Sequence, residues 1–213
     1  MGEIILVRHG QANSAATTEE DYDRLSPLGW EQAGLLGDWM RAHDYTFDHM
    51  LSGTLRRHRE TAEAMNVACE EDARLNEIDY YRLAHSLKDR HGEPLPTNDT
   101  FVDHMPKVFA AWAKAEIEGA EPYEAFEARI AELLAEASVP GRRLLCVTSG
   151  GVIGMVLRQL LDLDLLKMSR VMLPIWNTSV HRLHVREGET MLAGYNAIPH
   201  LEGPAFETSR THV

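Results

Sequence analysis

The chain alternates between short, continuous apolar runs and longer amphipathic stretches. Residues 3–8 (EIILVR) form the first run. Its β-branched residues and its lack of polar alternation predict a strand buried on both faces. Residues 10–24 are small, polar and acidic, and predict a loop. Ser26-Pro27 then marks a helix start, with Ser as N-cap and Pro at the first helical position. Leu28, Gln32, Leu35, Leu36, Trp39 and Met40 trace its inner face, and the pattern fades near His43. Residues 48–52 (DHMLS) predict a second strand, and Gly53-Thr54 turns the chain into a helix over 55–68.

Residues 72–100 mix polar residues, aromatics, Pro94 and Pro96, and predict irregular structure with short helices. Two helices follow over 101–118 and 122–138, separated by Gly119, with Pro106 near the start of the first or kinking it. Residues 142–148 (RRLLCVT) predict a third strand, and Ser149-Gly150-Gly151 leads into a helix over 152–161. A short helix near 163–171 precedes strands over 178–186 and 190–196, joined at Glu187-Gly188-Glu189.

Strands alternating with helices predict an α/β fold, a three-layer α/β/α sandwich with a mostly parallel sheet. The expected organisation is one domain over 1–213, with 79–140 as a largely helical insertion over the pocket. Such sheets place ligands at the carboxyl ends of their strands. The polar elements there are Arg8-His9-Gly10, Ser52 with Arg56-Arg57, and Ser149-Gly150-Gly151, so three separate segments are expected to converge on one rim.

Charge narrows the partners. The 33 acidic and 21 basic residues give a net charge of −12, which argues against a broad nucleic-acid-binding surface while leaving room for a local basic pocket. Cys69 and Cys146 form neither a CxxC nor a zinc spacing, and Cys146 lies in an apolar run that predicts a core position. The scarcity of cysteine fits a reducing, cytoplasmic setting. No stretch approaches the roughly 20 apolar residues of a membrane span. Glu3 flanks the N-terminal apolar run where a signal peptide has basic residues, and Leu6 stands where a myristoylation motif has Ser or Thr. No membrane partner is expected.

Taken singly, each polar element has an ordinary reading. An Arg-His pair is a strand edge, Arg56-Arg57-His58-Arg59 is a solvated helix face, and Ser-Gly-Gly is a tight turn. The run Ser149-x-Gly151-x-x-Gly154 is an incomplete dinucleotide fingerprint: the first glycine is missing, and 169–171 offer no ribose-binding acid. Together they make a phosphate site. Arginines bind phosphate oxygens through a planar fork of donors. A helix N-terminus after Gly150-Gly151 adds backbone N–H groups and a favourable dipole. A histidine beside them is a candidate to carry a phosphoryl group, and an acid must then protonate the leaving oxygen.

The ordered segments LVRHGQ, LSPLGWEQAGLLG, SGTLRRHRETAE, RLNEIDY and VTSGGVI, spread over residues 3–200, resemble the histidine phosphatase superfamily, also called phosphoglycerate mutase-like. The resemblance implies that His9 is the nucleophile that becomes a phosphohistidine. It implies that Arg8 and Arg57 bind phosphate with the Ser149-Gly150 turn, and that Glu77 is the proton donor. The segment after Glu77 lacks the GxWEG that often follows in relatives. The chain also departs from the family where Ser149 stands in place of a second histidine, a TSGG variant. Ser149 offers one neutral hydrogen bond, and losing a charge-assisted one costs roughly 1.5–3 kcal/mol, about 10- to 100-fold in rate. Among the other histidines His58 lies next to Arg57, about 100° around the helix, His181 is on a predicted strand, and His200 is the first candidate to substitute. Ala15 replaces a frequent asparagine of the family, and Asn13 or Ser14 is expected to fill its role.

Three functions follow: a phosphohydrolase, a phosphoglycerate mutase, and a binding or regulatory module that holds a phosphorylated ligand. The expected partner is a small-molecule phosphate ester or a phosphorylated protein. No cofactor is expected, and no ligand spacing signals a metal. Specificity is expected from the loops 11–24 and 79–100.

Overall fold

The structure is a computed structural model that describes residues 1–16, 18–97, 99–187 and 189–212. Strand β1 (Gly2–Arg8) lies near the middle of a six-stranded sheet. Its side chains alternate between two cores: Ile4 and Leu6 enter one, Ile5 and Val7 the other. Strand β4 (Arg143–Thr148) does the same with Leu144 and Cys146 against Leu145 and Val147. This is why both strands read as unbroken apolar runs: each face is covered by helices.

The sheet also contains β2 (His49–Ser52), β3 (Glu70–Glu71), β5 (Val180–Arg186) and β6 (Glu189–Ala197), in the order β3-β2-β4-β1-β5-β6. The first four run parallel, whereas β5 is antiparallel to β1 and to β6. The sheet is therefore mostly parallel, as expected, with an antiparallel edge. Gly188, in the turn expected between the last strands, lies outside the described residues.

One helical layer holds α2 (Pro27–Ala42) and α3 (Arg56–Ala64). Ser26 caps α2 by accepting from the Gly29 N–H at 3.0 Å. The buried face of α2 is Gly29, Gln32, Ala33, Leu36, Gly37 and Met40, rotated from the expected stripe so that Leu28, Leu35 and Trp39 are only half-buried. Small residues cause the rotation. A Cβ on Gly10 would come within 2.4 Å of the Gly29 carbonyl oxygen, so two glycines let helix and strand end touch. Helix α3 is shorter than expected, because the chain leaves the helix after Met65 and Asn66 takes a positive φ of 56°.

The other layer holds α4 (Tyr80–His91), α5 (Phe101–Ala113), α6 (Tyr123–Ala137), α7 (Gly150–Leu161) and α8 (Leu165–Met172). Two regions are more regular than the sequence pattern suggested. The loop over 10–24 contains a short helix, α1 (Glu19–Tyr22). Most of 79–91 is α4, with Asp79 accepting from the Arg82 N–H at 2.9 Å and Gly92 closing the helix at a φ of 71°. Only Leu83, Ala84 and Leu87 of α4 are buried, too few to give a helical stripe. Pro106 sits inside α5, and that helix ends at Ala113, with Ala115 at a φ of 55°. Within 79–140, α4 and the start of α5 line the pocket described below, whereas α6 packs on α7. No helix among the described residues is long and apolar enough to cross a membrane.

Candidate active site

The parallel strands end at one rim. Arg8 pairs with Thr148 and Ser52 with Val147, so the segments that follow β1, β2 and β4 leave the sheet side by side. The His9 N–H donates to the Thr148 carbonyl at 2.9 Å, and the Thr178 N–H donates to the Arg8 carbonyl at 3.1 Å, which fixes the strand end from both sides. A cavity of about 420 Å³ opens at this rim and is lined by Arg8, His9, Arg57, Glu77 and Gly150. Five residues singled out from four stretches of sequence thus meet at one place.

His9 is buried, with 2% of its surface exposed. Its Nδ1 lies 2.7 Å from the Gly10 carbonyl oxygen, which can only accept, so Nδ1 carries the proton and Nε2 keeps a lone pair. Burial, then the charges of Arg57 and Arg8, then His58, hold its pKa well below the ordinary value. The imidazole is therefore neutral. Arg8 Nη1 donates to the carbonyls of Ile175 and His212, the latter at 2.7 Å, while its Nε has no hydrogen-bond partner among the described residues. Burial lowers the Arg8 pKa from its usual value.

Arg57 is 1% exposed and engaged by acids. Its Nη1 donates to Glu19 Oε1 at 2.8 Å and to Asp23 Oδ1 at 3.0 Å. Burial disfavours the cation, but Glu19, Tyr22 and Asp23 outweigh it and raise the pKa. Burial raises the Glu19 carboxyl despite Arg57 beside it. The Tyr22 ring lies with its centroid 5.1 Å from the Arg57 guanidinium and 6.4 Å from the His9 ring. Glu77 sits at the start of α7: Oε2 accepts from the Gly151 N–H at 2.8 Å and Oε1 from the Ile78 N–H at 2.9 Å. A Cβ on Gly151 would meet that carboxylate at 2.1 Å, so the second glycine of the turn makes room for Glu77.

Ser149 and His58 form a pair that the sequence did not single out. Both are fully buried, neither is among the residues that line the cavity, and His58 Nε2 lies 2.6 Å from Ser149 Oγ. The His58 ring centroid is 5.8 Å from that of His9. His58 Nδ1 is buried without a hydrogen-bond partner among the described residues. A buried N–H is less readily left unpaired than a lone pair, which favours a proton on Nε2 donated to Ser149 Oγ. The hydroxyl proton of Ser149 is then free to donate elsewhere. His200, the first candidate for this place, is instead 2.8 Å from Thr178 Oγ1 and does not line the cavity. His181 pairs with Ser179 at 3.0 Å. Of the two candidates for the missing asparagine, Ser14 lines the cavity, whereas Asn13 donates to the Asp21 carbonyl at 3.1 Å and braces α1. Glu19, Tyr22 and His212 also line the cavity, and the sequence pattern had not marked them.

Among the described residues five imidazoles are buried: His9, His58, His104, His181 and His200. Burial lowers them all, His181 to about 3 and His200 to about 4, His9 and His58 well below their ordinary value, and His104 below it. In the unfolded chain they titrate near pH 6.5. Below that pH the unfolded state holds more protons, so stability is full above about 6.5 and is lost as pH falls, by up to about 1.4 kcal/mol per pH unit for each group. Thermal unfolding is expected at steadily lower Tm from pH 6.5 to 4.5. A flat Tm would mean that these imidazoles are charged in the folded protein.

The model of the histidine phosphatase superfamily (branch 1) matches residues 4–198. A protein of Salmonella choleraesuis described as "probable phosphoglycerate mutase GpmB" is 26% identical over 229 aligned positions, covering 97% of this chain and 98% of that protein. A phosphoserine phosphatase variant from Entamoeba histolytica, solved with phosphoserine, superimposes with a TM-score of 0.69 at 19% identity, covering 94% of this chain and 100% of the other. The alpha-ribazole phosphatase from Shigella flexneri gives 0.67 at 20% identity, covering 92% and 96%. These structural likenesses speak to the fold, and the family match spans the strand ends that build the cavity from Arg8 to Gly150. The chain belongs to the histidine phosphatase superfamily, whose members act as phosphatases or mutases.

Proposed function

We propose that the protein is a phosphohydrolase that cleaves phosphate monoesters through a phosphohistidine at His9. The observation that carries this reading is the convergence of a neutral, oriented imidazole with two arginines, a helix N-terminus and a carboxyl group in one cavity. Arg8, Arg57 and the start of α7 at Gly150 hold the phosphoryl oxygens and take up the charge that spreads over them. His9 Nε2 attacks phosphorus, forming the N–P bond as the P–O ester bond breaks. Glu77 gives its proton to the leaving oxygen. Water then attacks phosphorus, passes a proton to Glu77, and the N–P bond breaks to release orthophosphate and restore the imidazole. Throughout, the Nδ1–H bond to the Gly10 carbonyl keeps the ring oriented. Ser149, fully buried behind the Gly150 turn, fixes that turn at the phosphate end, with His58 behind it as a positioning residue. The test is release of phosphate from monoesters, with an acid-labile label retained on His9.

In this reading Glu19 competes with the substrate for Arg57. Glu19→Gln is expected to tighten inhibition by inorganic phosphate about 3- to 10-fold, the size of one partly buried charge pair. Weaker inhibition would show that Glu19 holds Arg57 in place for phosphate.

A mutase uses the same intermediate but returns the phosphoryl group to a reoriented substrate. The similarity to a protein described as a probable phosphoglycerate mutase supports it. Interconversion of 2- and 3-phosphoglycerate faster than phosphate release would establish it. A catalytically silent phospho-ligand module is the remaining reading, and turnover above a His9→Ala control excludes it.

A further inference from the structure

The cavity extends well past the phosphate end, and its far wall has a different chemistry. Tyr80, Tyr81, Leu95, Pro96, Phe101 and Met105 line it. The rings form a connected set: Tyr22 and Tyr81 have centroids 6.3 Å apart, and Tyr80 meets Phe101 edge-on at 5.2 Å. Both hydroxyls of the α4 tyrosines are engaged, Tyr80 with His104 Nδ1 at 2.8 Å and Tyr81 with the Ala16 carbonyl at 3.2 Å. What these side chains have left to offer a ligand is apolar ring surface.

The charges are equally uneven. Among the described residues, Arg8 and Arg57 are the only Arg or Lys side chains that line the cavity, and both lie at the phosphate end. Its other ionisable lining groups are Glu19, Glu77, His85, His212 and the tyrosine phenols. A second anionic group on the substrate would leave water for an apolar wall that offers it no Arg or Lys among the described residues, which is strongly unfavourable. An uncharged aromatic or aliphatic group would instead bury apolar area and find edge-to-face partners. The volume of about 420 Å³ falls in the range of sites for compact organic ligands.

We infer that this wall is the leaving-group subsite and that it takes the phosphate monoester of a bulky, uncharged, largely apolar or aromatic alcohol, in preference to a carboxylate-bearing ester such as phosphoglycerate. The inference rests on the phosphohydrolase reading, because it sets the phosphorus at His9 and the alcohol against α4 and α5.

The test compares 2-naphthylmethyl phosphate with ethyl phosphate and O-phosphoserine. All three release an alkyl alcohol, so their ratio reads the subsite more than the chemistry. The naphthylmethyl ester is expected to show a kcat/KM at least about tenfold above the others. In parallel, calorimetry measures binding of three phosphonates that cannot be hydrolysed: naphthylmethylphosphonate, methylphosphonate and phosphonoacetate. The first is expected to bind at least about tenfold more tightly than the other two. Tyr81→Ala is expected to shrink the preference. Leu95→Lys, at a position 40% exposed that tolerates a long side chain, is expected to shift the ratio toward phosphoserine severalfold.

Equal or better binding of phosphonoacetate would overturn the subsite, as would a kcat/KM for phosphoserine that matches the naphthylmethyl ester. Selective phosphonate binding with no ester turnover above a His9→Ala control would leave the subsite standing and sink the hydrolase reading. Turnover without preference would do the reverse.

Discussion

His9→Ala is expected to lower phosphate release from any monoester by on the order of 10³-fold or more, as loss of a covalent nucleophile does. It is also expected to abolish the acid-labile phosphoryl label on the protein. The site gives a specific reason for so large an effect. His9 is the only neutral nitrogen nucleophile placed between Arg8 and Arg57 among the described lining residues of the cavity's phosphate end. His58 is too deep to replace it, because its Nε2 is held by Ser149 and its ring is fully buried. Phosphate binding should survive the substitution, since the arginines and the α7 N-terminus remain. Phosphate release within tenfold of the parent would show that water attacks phosphorus directly and that the phosphohistidine reading is wrong.

Ser149→His is expected to lower both activity and stability, although it introduces the second histidine that the family resemblance implied for this place. Ser149 has no exposed surface, and the imidazole of His58 already occupies the space beside its hydroxyl. Adding a ring to a packed site costs typically 1–3 kcal/mol. His58→Ala is expected to lower kcat/KM by about tenfold or more, because it leaves Ser149 Oγ without its buried partner and with a freely turning hydroxyl. The double variant His58→Ala with Ser149→His moves the imidazole from one side of the same gap to the other. It is expected to recover part of both losses, giving a coupling energy of about 1–3 kcal/mol. The KM-to-kcat split and the pH profile distinguish positioning from packing. If His58 holds the Ser149-Gly150 turn in place for the transferring group, His58→Ala lowers kcat more than it raises KM. A gain of activity in Ser149→His alone would show that the pocket has room for a second histidine and that His58 is a passive filler.

The two cysteines play no part in this chemistry. Cys146 faces the core from β4, where burial pushes its thiol well up, and Cys69 is half-buried with its thiol pushed up to about 11. Neither is a thiolate near neutral pH.

Much of this protein follows from the order of its residues. Unbroken apolar runs at 3–8 and 142–148 require strands covered on both sides, and a mostly parallel sheet follows from the helices between them. Because parallel strands end together, Arg8-His9, Arg56-Arg57 and Ser149-Gly150-Gly151 could be assigned to one rim from sequence alone, whereas Glu77 joined them only through the family resemblance. Their partners could not. Residue phase places His58 about 100° from Arg57 on a helix, and on an isolated helix one of the two would face water. Here the first turn of α3 is covered on both flanks, by Glu19 and Asp23 on one side and by Ser149 on the other, so both residues are buried. Helices α1 and α4 were hidden for a related reason: they bury too few apolar residues to write a period into the sequence. Their capping residues and the cavity they enclose hold them instead. The sequence by itself therefore determined the sheet and its rim, because local apolar periodicity encodes them. Only tertiary packing decided that His58, not His200, meets Ser149, that Glu19 rests on Arg57, and that aromatic rings line the far wall of the cavity. Those pairings depend on which surfaces of separate elements come together.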